Sequence, residues 1–157
     1  GINRGANVGN VSHLSGTVGA AMEGLYHGLP AIAVSEDPNS ENTAITAKFT
    51  ADLVDRYRRL GAPSGTMISI NVPAGELKGI AVRPMGDSYL GTLRYAPTER
   101  DSMTTDYESV RIIVESEDPT TDTYAYQQGY ISVTPLKFDW TDFEMLDEIE
   151  SWNLQID

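Results

Sequence analysis

The sequence contains no cysteine. That excludes disulfides, thiolate nucleophiles and cysteine-built zinc sites. Its two histidines, His13 and His27, are too few for a histidine-based metal centre. Lysine is scarce too: Lys48, Lys78 and Lys137 are the only three in 157 residues. Lys and Arg together number 11 against 23 Asp and Glu, giving a formal net charge of −12. Such a field argues against nucleic-acid polymers and anionic membrane surfaces as partners. A similar bias occurs in salt-adapted proteins, but it is read here as a plain solvated acidic surface. No run of about 18 apolar residues is available to cross a bilayer, and no basic, apolar leader opens the chain. There is no Gly-x-Ser-x-Gly segment to support a Ser-His-Asp hydrolase. No two aspartates are adjacent.

What is present is concentrated at the start. Gly1-Ile2-Asn3-Arg4-Gly5-Ala6-Asn7-Val8-Gly9 is a loop rich in glycine and asparagine. A short bridge leads from it to Ser15-Gly16-Thr17-Val18-Gly19-Ala20-Ala21-Met22-Glu23-Gly24. Gly5 and Gly9 allow positive φ and close approach of the backbone to a ligand. Asn3 and Asn7 offer carboxamide oxygens to a hard cation or NH2 groups to an anion. Ser15 reads as a helix N-cap, with Val18, Ala21, Met22 and Leu25 at helical spacing and Gly28 and Pro30 as the stop. The amides of Gly16, Thr17 and Val18 then face out of the helix start, where the dipole favours an anion. Two readings stand at this point: a phosphate cradle, or a strand-to-helix turn whose glycines serve only packing.

These segments resemble the signature of the SurE family of survival proteins, metal-dependent 5'/3'-nucleotidases. The resemblance continues, in the family's order, through Leu29–Ser35, Ile70-Asn71-Val72-Pro73, Lys78-Gly79-Ile80, Thr121–Ala125 and Gly129–Leu136. It implies an α/β, Rossmann-like parallel sheet, of which this chain holds the second half, with an antiparallel hairpin extension and a C-terminal helix. It also implies a single domain, with residues 1–78 as the α/β core part and 79–157 as oligomerisation arms and terminal helix. The implied activity is hydrolysis of nucleoside monophosphates with Mg2+ or Mn2+. In the family the metal is held by two adjacent aspartates, a serine and the asparagine of the Gly-x-Asn segment; here only Asn3 matches. Phosphate binding falls on Asn7, Ser15, Gly16 and Thr17. The missing aspartate pair implies a C-terminal portion with about the first third absent, poor Mg2+ binding, low activity and a tendency to associate. Between Gly9 and Ser15 relatives carry an acidic pair and an aromatic, whereas this chain reads Asn10-Val11-Ser12-His13-Leu14. A homo-oligomer, dimer or tetramer, and a cytoplasmic location are implied as well. The alternative is a non-catalytic homologue that keeps a phosphate cradle and the arms.

Further along, Pro30–Val34 and Met67–Asn71 read as buried strands. A long helix is expected between them, capped by Asn39 or Ser40, with Ile45, Phe49, Leu53, Tyr57 and Leu60 as its stripe and Gly61 and Pro63 as its end. Strands are expected at Ile80–Arg83, Ser88–Arg94, Val110–Val114 and Tyr130–Thr134, separated by polar stretches 96–107 and 115–123. Glu117, Asp118 and Asp122 read as a solvated acidic turn. Thr141-Asp142-Phe143-Glu144 reads as a capping box before a terminal helix with Leu146, Ile149 and Trp152 on one face. His13 lies near the cradle and is read as a loop histidine rather than a proton donor. His27 is read as a helix-dipole partner, Glu23 as a packing or hydrogen-bonding residue, and Arg4 as solvated.

Overall fold

The centre of the fold is made by short runs in which aliphatic residues alternate with serine, threonine and asparagine. In a strand, alternation with period two sends the two sets to opposite faces. The structure, a computed structural model, describes residues 1–91, 94–110 and 112–156. Its main sheet is formed by β1 (Asn3–Arg4), β2 (Ile32–Glu36), β3 (Met67–Val72), β4 (Ile80–Val82) and β7 (Ile131–Leu136), in the order β1-β2-β3-β7-β4. β1 with β2, β2 with β3, and β4 with β7 are parallel. β7 runs antiparallel to β3, so the sheet is mostly rather than wholly parallel.

The register sorts the residues by chemistry. Ser35, Asn71 and Ser132 form one cross-strand row, and Ala33, Ser69 and Thr134 form the next on the same face. Val34, Ile70 and Val133 form a row on the other face. The apolar face packs under α2 (Thr43–Leu60), where Phe49 and Leu53 meet Val34, Ile70, Val72 and Ile131. The buried Val34, Ile70, Val72 and Ile131 each contribute roughly 1.5–3 kcal/mol by their burial. The polar face lies on the side of α1 (Gly16–Tyr26), where Val18, Ala21, Met22 and Leu25 close a smaller cluster with Ala31, Ala33 and Met67. The expected apolar stripe of α1 is therefore the one observed.

Several expectations shift in detail. α2 starts after Asn42, not at Asn39 or Ser40; the Asn42 side chain instead donates to the Pro73 and Gly75 carbonyls, so the loop's own contacts fix the start. Ile45 and Leu60 of its predicted stripe are exposed. The stretch 96–107, read as a polar separator, is itself a hairpin of β5 (Arg94–Asp101) and β6 (Thr104–Val110). Its sequence lacks an apolar alternation because neither face is buried, so the pattern that reveals a half-buried strand was not there to read. The predicted strands 88–94 and 110–114 reduce, among the described residues, to the bridge Leu90↔Ile113 and the ends of the hairpin; Thr92, Leu93 and Arg111 lie outside the described residues. The terminal helix, α4 (Glu144–Ser151), is capped by Asp142 rather than Thr141: its Oδ1 accepts from the amides of Glu144 and Met145 at 3.1 and 3.2 Å.

Candidate phosphate-binding site

The chain leaves β1 at Arg4 and must turn sharply. Gly5, at φ 126°, makes the turn and donates to the Glu36 carbonyl at 2.8 Å. Arg4 stays exposed, as expected, and donates to the Pro38 carbonyl. The loop then crosses the carboxyl ends of β2 and β3, the place where open α/β sheets receive ligands. A 3-10 turn over Gly9–Leu14 carries it to α1.

The loop is held from beneath by the polar row of the sheet. Asn7 is buried; its amide donates to Asn71 Oδ1 at 2.7 Å and its side-chain Nδ2 to Ser35 Oγ at 2.8 Å. Its carbonyl accepts from Ser12 Oγ at 2.7 Å and from Asn71 Nδ2 at 3.4 Å. The Asn7 NH2 group, which the sequence offered to a phosphate, is thus engaged by the scaffold. Asn3 is partly buried and donates from Nδ2 to the Gly5 carbonyl at 2.8 Å, which uses its nitrogen and not its oxygen.

Ser15 caps α1 as the sequence indicated, its Oγ accepting from the Val18 amide at 3.2 Å. Of the three amides expected to face a ligand, that of Val18 is therefore taken by the cap. Those of Gly16 and Thr17 precede the first intrahelical bond, from the Gly19 amide to the Ser15 carbonyl at 2.8 Å. They belong to the set that a helix cannot satisfy internally. Asn7 and Ser15 line one open groove together with His13 and Ser88, so the structure brings these two predicted residues to one place. His13 is exposed, and its ring lies 5.2 Å from that of Trp140. His27 Nε2 donates to Glu23 Oε1 at 3.1 Å on the exposed side of α1.

Sequence reasoning missed two side chains that position this loop. One is Asn71, fully buried in β3. A carboxamide in a strand that alternates aliphatic residues with Ser69 and Asn71 was the available signal. The other is Asp122, read as part of a solvated turn but 1% exposed. It starts α3 (Asp122–Gln127), a helix the sequence reading did not place. Its Oδ1 accepts from the Gly86 amide at 2.8 Å, both carboxylate oxygens lie 3.2 Å from the Gly9 amide, and Oδ2 accepts from Thr134 Oγ1 at 3.4 Å. The error has a physical cause: Asp118 does form the exposed turn, bonding Thr120 through its side chain, and nothing local separates the two aspartates. Burial raises the Asp122 carboxyl above its ordinary pKa, and the amides of Gly86 and Gly9 act against that. Behind the loop, the buried Tyr126 donates to Asp37 Oδ2 at 2.9 Å; burial, followed by neighbouring Tyr89 and Asp37, raises its phenol far above the ordinary range.

No group of three or more His, Asp or Glu side chains is placed to hold a metal ion among the described residues. Asn3, the expected metal ligand, offers a single neutral oxygen, which without carboxylates beside it does not fit a hard divalent cation.

The family model "Survival protein SurE" matches residues 1–92. A protein named 5'-nucleotidase SurE from Thermoanaerobacter sp. (strain X514) is 34% identical over 164 aligned positions, covering 100% of this chain and 64% of that protein. One of the same name from Stutzerimonas stutzeri (strain A1501) is 38% identical, covering 97% of this chain and 63% of that protein. The crystal structure of the SurE protein from Aquifex aeolicus superposes with a TM-score of 0.75 at 32% identity, over 98% of this chain and 64% of the other. The chain therefore spans a little under two thirds of the length of these relatives. With the family model covering more than half of the residues, and with the loop-to-helix geometry and the mixed sheet described above, the chain belongs to the SurE family.

Proposed function

We propose that this chain supplies the phosphate-binding wall of a phosphomonoesterase acting on nucleoside 5'- and 3'-monophosphates. The observation that carries this reading is the start of α1. Gly16 and Thr17 present unsatisfied amides at a helix N-terminus, beside a loop pinned across the carboxyl ends of parallel strands. Such a terminus favours the dianionic phosphate through both its N–H groups and its dipole. As charge builds on the equatorial oxygens during hydrolysis, amides already fixed in place stabilise it without reorganising. The relatives' name, 5'-nucleotidase, supports the substrate class.

The expected Mg2+ or Mn2+ would, when bound, polarise the phosphoryl group and activate water. The residues of this chain do not fit that ion by themselves. The roles left to this chain are to bind and orient the phosphate, with Asn3 as one neutral ligand of a more complete site. The same reading makes the β5–β6 hairpin and α4 contacts between copies in a dimer or tetramer, in keeping with the exposed Leu146, Ile149 and Trp152 on α4. It places the protein in the cytoplasm. A second reading is a non-catalytic phosphate-binding and oligomerisation module, separated from the first by the absence of turnover in the assay below.

The test is calorimetric titration with inorganic phosphate beside an assay of AMP hydrolysis in Mn2+. Phosphate binding with slow or no turnover is expected. Failure to bind phosphate would remove the cradle, and turnover equal to that of full-length relatives would overturn the assignment of an incomplete metal site.

A further inference from the structure

We propose that the groove between α1 and the segment after β7 is the nucleobase subsite of the same site; this rests on the phosphate reading above. The groove encloses about 500 Å3. One wall is the stripe Val18, Met22 and Tyr26, spaced four residues apart on α1 and therefore on one face. The other wall is Leu136, Phe138 and Trp140. Aromatic pairs frame it at both ends. His13 and Trp140 lie 5.2 Å apart, tilted by 57°, at the end nearest the helix start. Tyr26 and Phe138 lie 6.5 Å apart, edge to face, at the other.

Three features select the occupant. The walls are mainly apolar and aromatic, with Glu23, Lys137 and Asp139 among the residues around them, which suits a flat ring that stacks and keeps its polar edge toward charged groups. The rings are not packed away as core: Tyr26 is 75% and Trp140 72% exposed. Most specific is the position. His13 belongs to this groove and also to the one that contains Asn7 and Ser15. It precedes the Ser15 cap by two residues, at most about 7.6 Å along the backbone. A ligand whose phosphate sits beside the Ser15 cap would carry an aromatic ring, one sugar away, toward His13 and Trp140. A sugar phosphate lacking a base fills only the first part. The subsite therefore favours nucleotides over other phosphomonoesters through stacking.

The test uses the full chain carrying Trp152→Phe, so that Trp140 is the single tryptophan reporter. Adenosine and AMP are expected to quench its fluorescence, whereas inorganic phosphate and ribose 5-phosphate are not. By calorimetry, Trp140→Ala is expected to weaken AMP about tenfold and leave phosphate affinity unchanged, and Trp140→Phe to restore most of the loss. If adenosine causes no quenching and AMP binds no better than ribose 5-phosphate, the base subsite is wrong while the cradle stands. If adenosine binds and phosphate does not, the subsite stands and the phosphate reading fails. If light scattering shows a dimer that Trp140→Ala dissociates, the groove holds a second copy and the proposal is overturned.

Discussion

The side chain of Asn71 grips the Asn7 backbone on both sides, Oδ1 accepting from its amide at 2.7 Å and Nδ2 donating to its carbonyl at 3.4 Å. The carboxamide thus acts as a peptide group supplied by β3. It satisfies a buried loop segment that no strand pairs with. Asn71→Ala leaves the buried Asn7 amide without its acceptor, at a cost of about 1–3 kcal/mol, while the Asn7 carbonyl keeps Ser12 Oγ. Denaturant unfolding is expected to show a loss in that range, and calorimetry a weaker grip on phosphate. A variant as stable as the parent would show that Asn71 does not anchor the loop.

Asp122 joins the same loop to two others through Gly9, Gly86 and Thr134. Its raised carboxyl pKa, caused first by burial, means that the folded state holds this proton more tightly than the unfolded chain does. The sign follows from linkage: the stabilising contribution is complete below the ordinary value of 3.8 and is lost as pH rises through the raised folded value. Asp122→Asn keeps one acceptor oxygen and cannot titrate. The stability of the parent relative to Asp122→Asn should therefore fall as pH rises from below 3.8 and then level off. Chemical denaturation of both proteins across that range checks it, and a pH-independent difference would contradict it.

Gly9 and Gly19 form a matched pair. Gly9 sits at φ 57°, and a Cβ there would lie 2.0 Å from the Asp87 carbonyl and 2.7 Å from Thr123 Oγ1. Around Gly19, in α1, no atom lies within 4 Å of such a Cβ. Gly9→Ala should lower the melting temperature by several degrees, because backbone must move as well as twist. Gly19→Ala should stabilise by about 0.5–1 kcal/mol through helix propensity. Equal effects at both positions would mean that the 3-10 turn is not seated as described.

Ser15 separates capping from anion binding. Ser15→Ala removes the acceptor of the Val18 amide and should cost about 1 kcal/mol. Ser15→Asp keeps a capping oxygen and is expected to retain stability, yet its negative charge occupies the ground a phosphate would take. Calorimetry should then show phosphate binding lost in Ser15→Asp while its melting temperature stays near that of the parent. Undiminished phosphate affinity in that variant would place the anion elsewhere.

The local sequence determined the elements whose signals are local. The Ser15 cap and the apolar spacing of Val18, Ala21, Met22 and Leu25 were enough to define α1, because a helix is written within one turn of itself. The buried runs of β2 and β3 were legible for a similar reason, as was the family, carried by contiguous motifs. Only the tertiary structure decided what each polar residue faces. Asn7 reads as a ligand-binding asparagine but is turned onto Ser35 and Asn71, which lie 28 and 64 residues away. Asp118 and Asp122 look alike in one acidic turn, yet one is solvated and the other buried against Gly9, 113 residues earlier. Direction of pairing was decided at the same level: β4 already runs opposite to β3 after the turn through residues 73–79, and the excursion through the hairpin and α3 brings β7 back parallel to β4 and hence antiparallel to β3. A hydrogen bond between distant residues leaves no periodic trace in the chain, which is why the scaffold beneath the loop had to be seen folded.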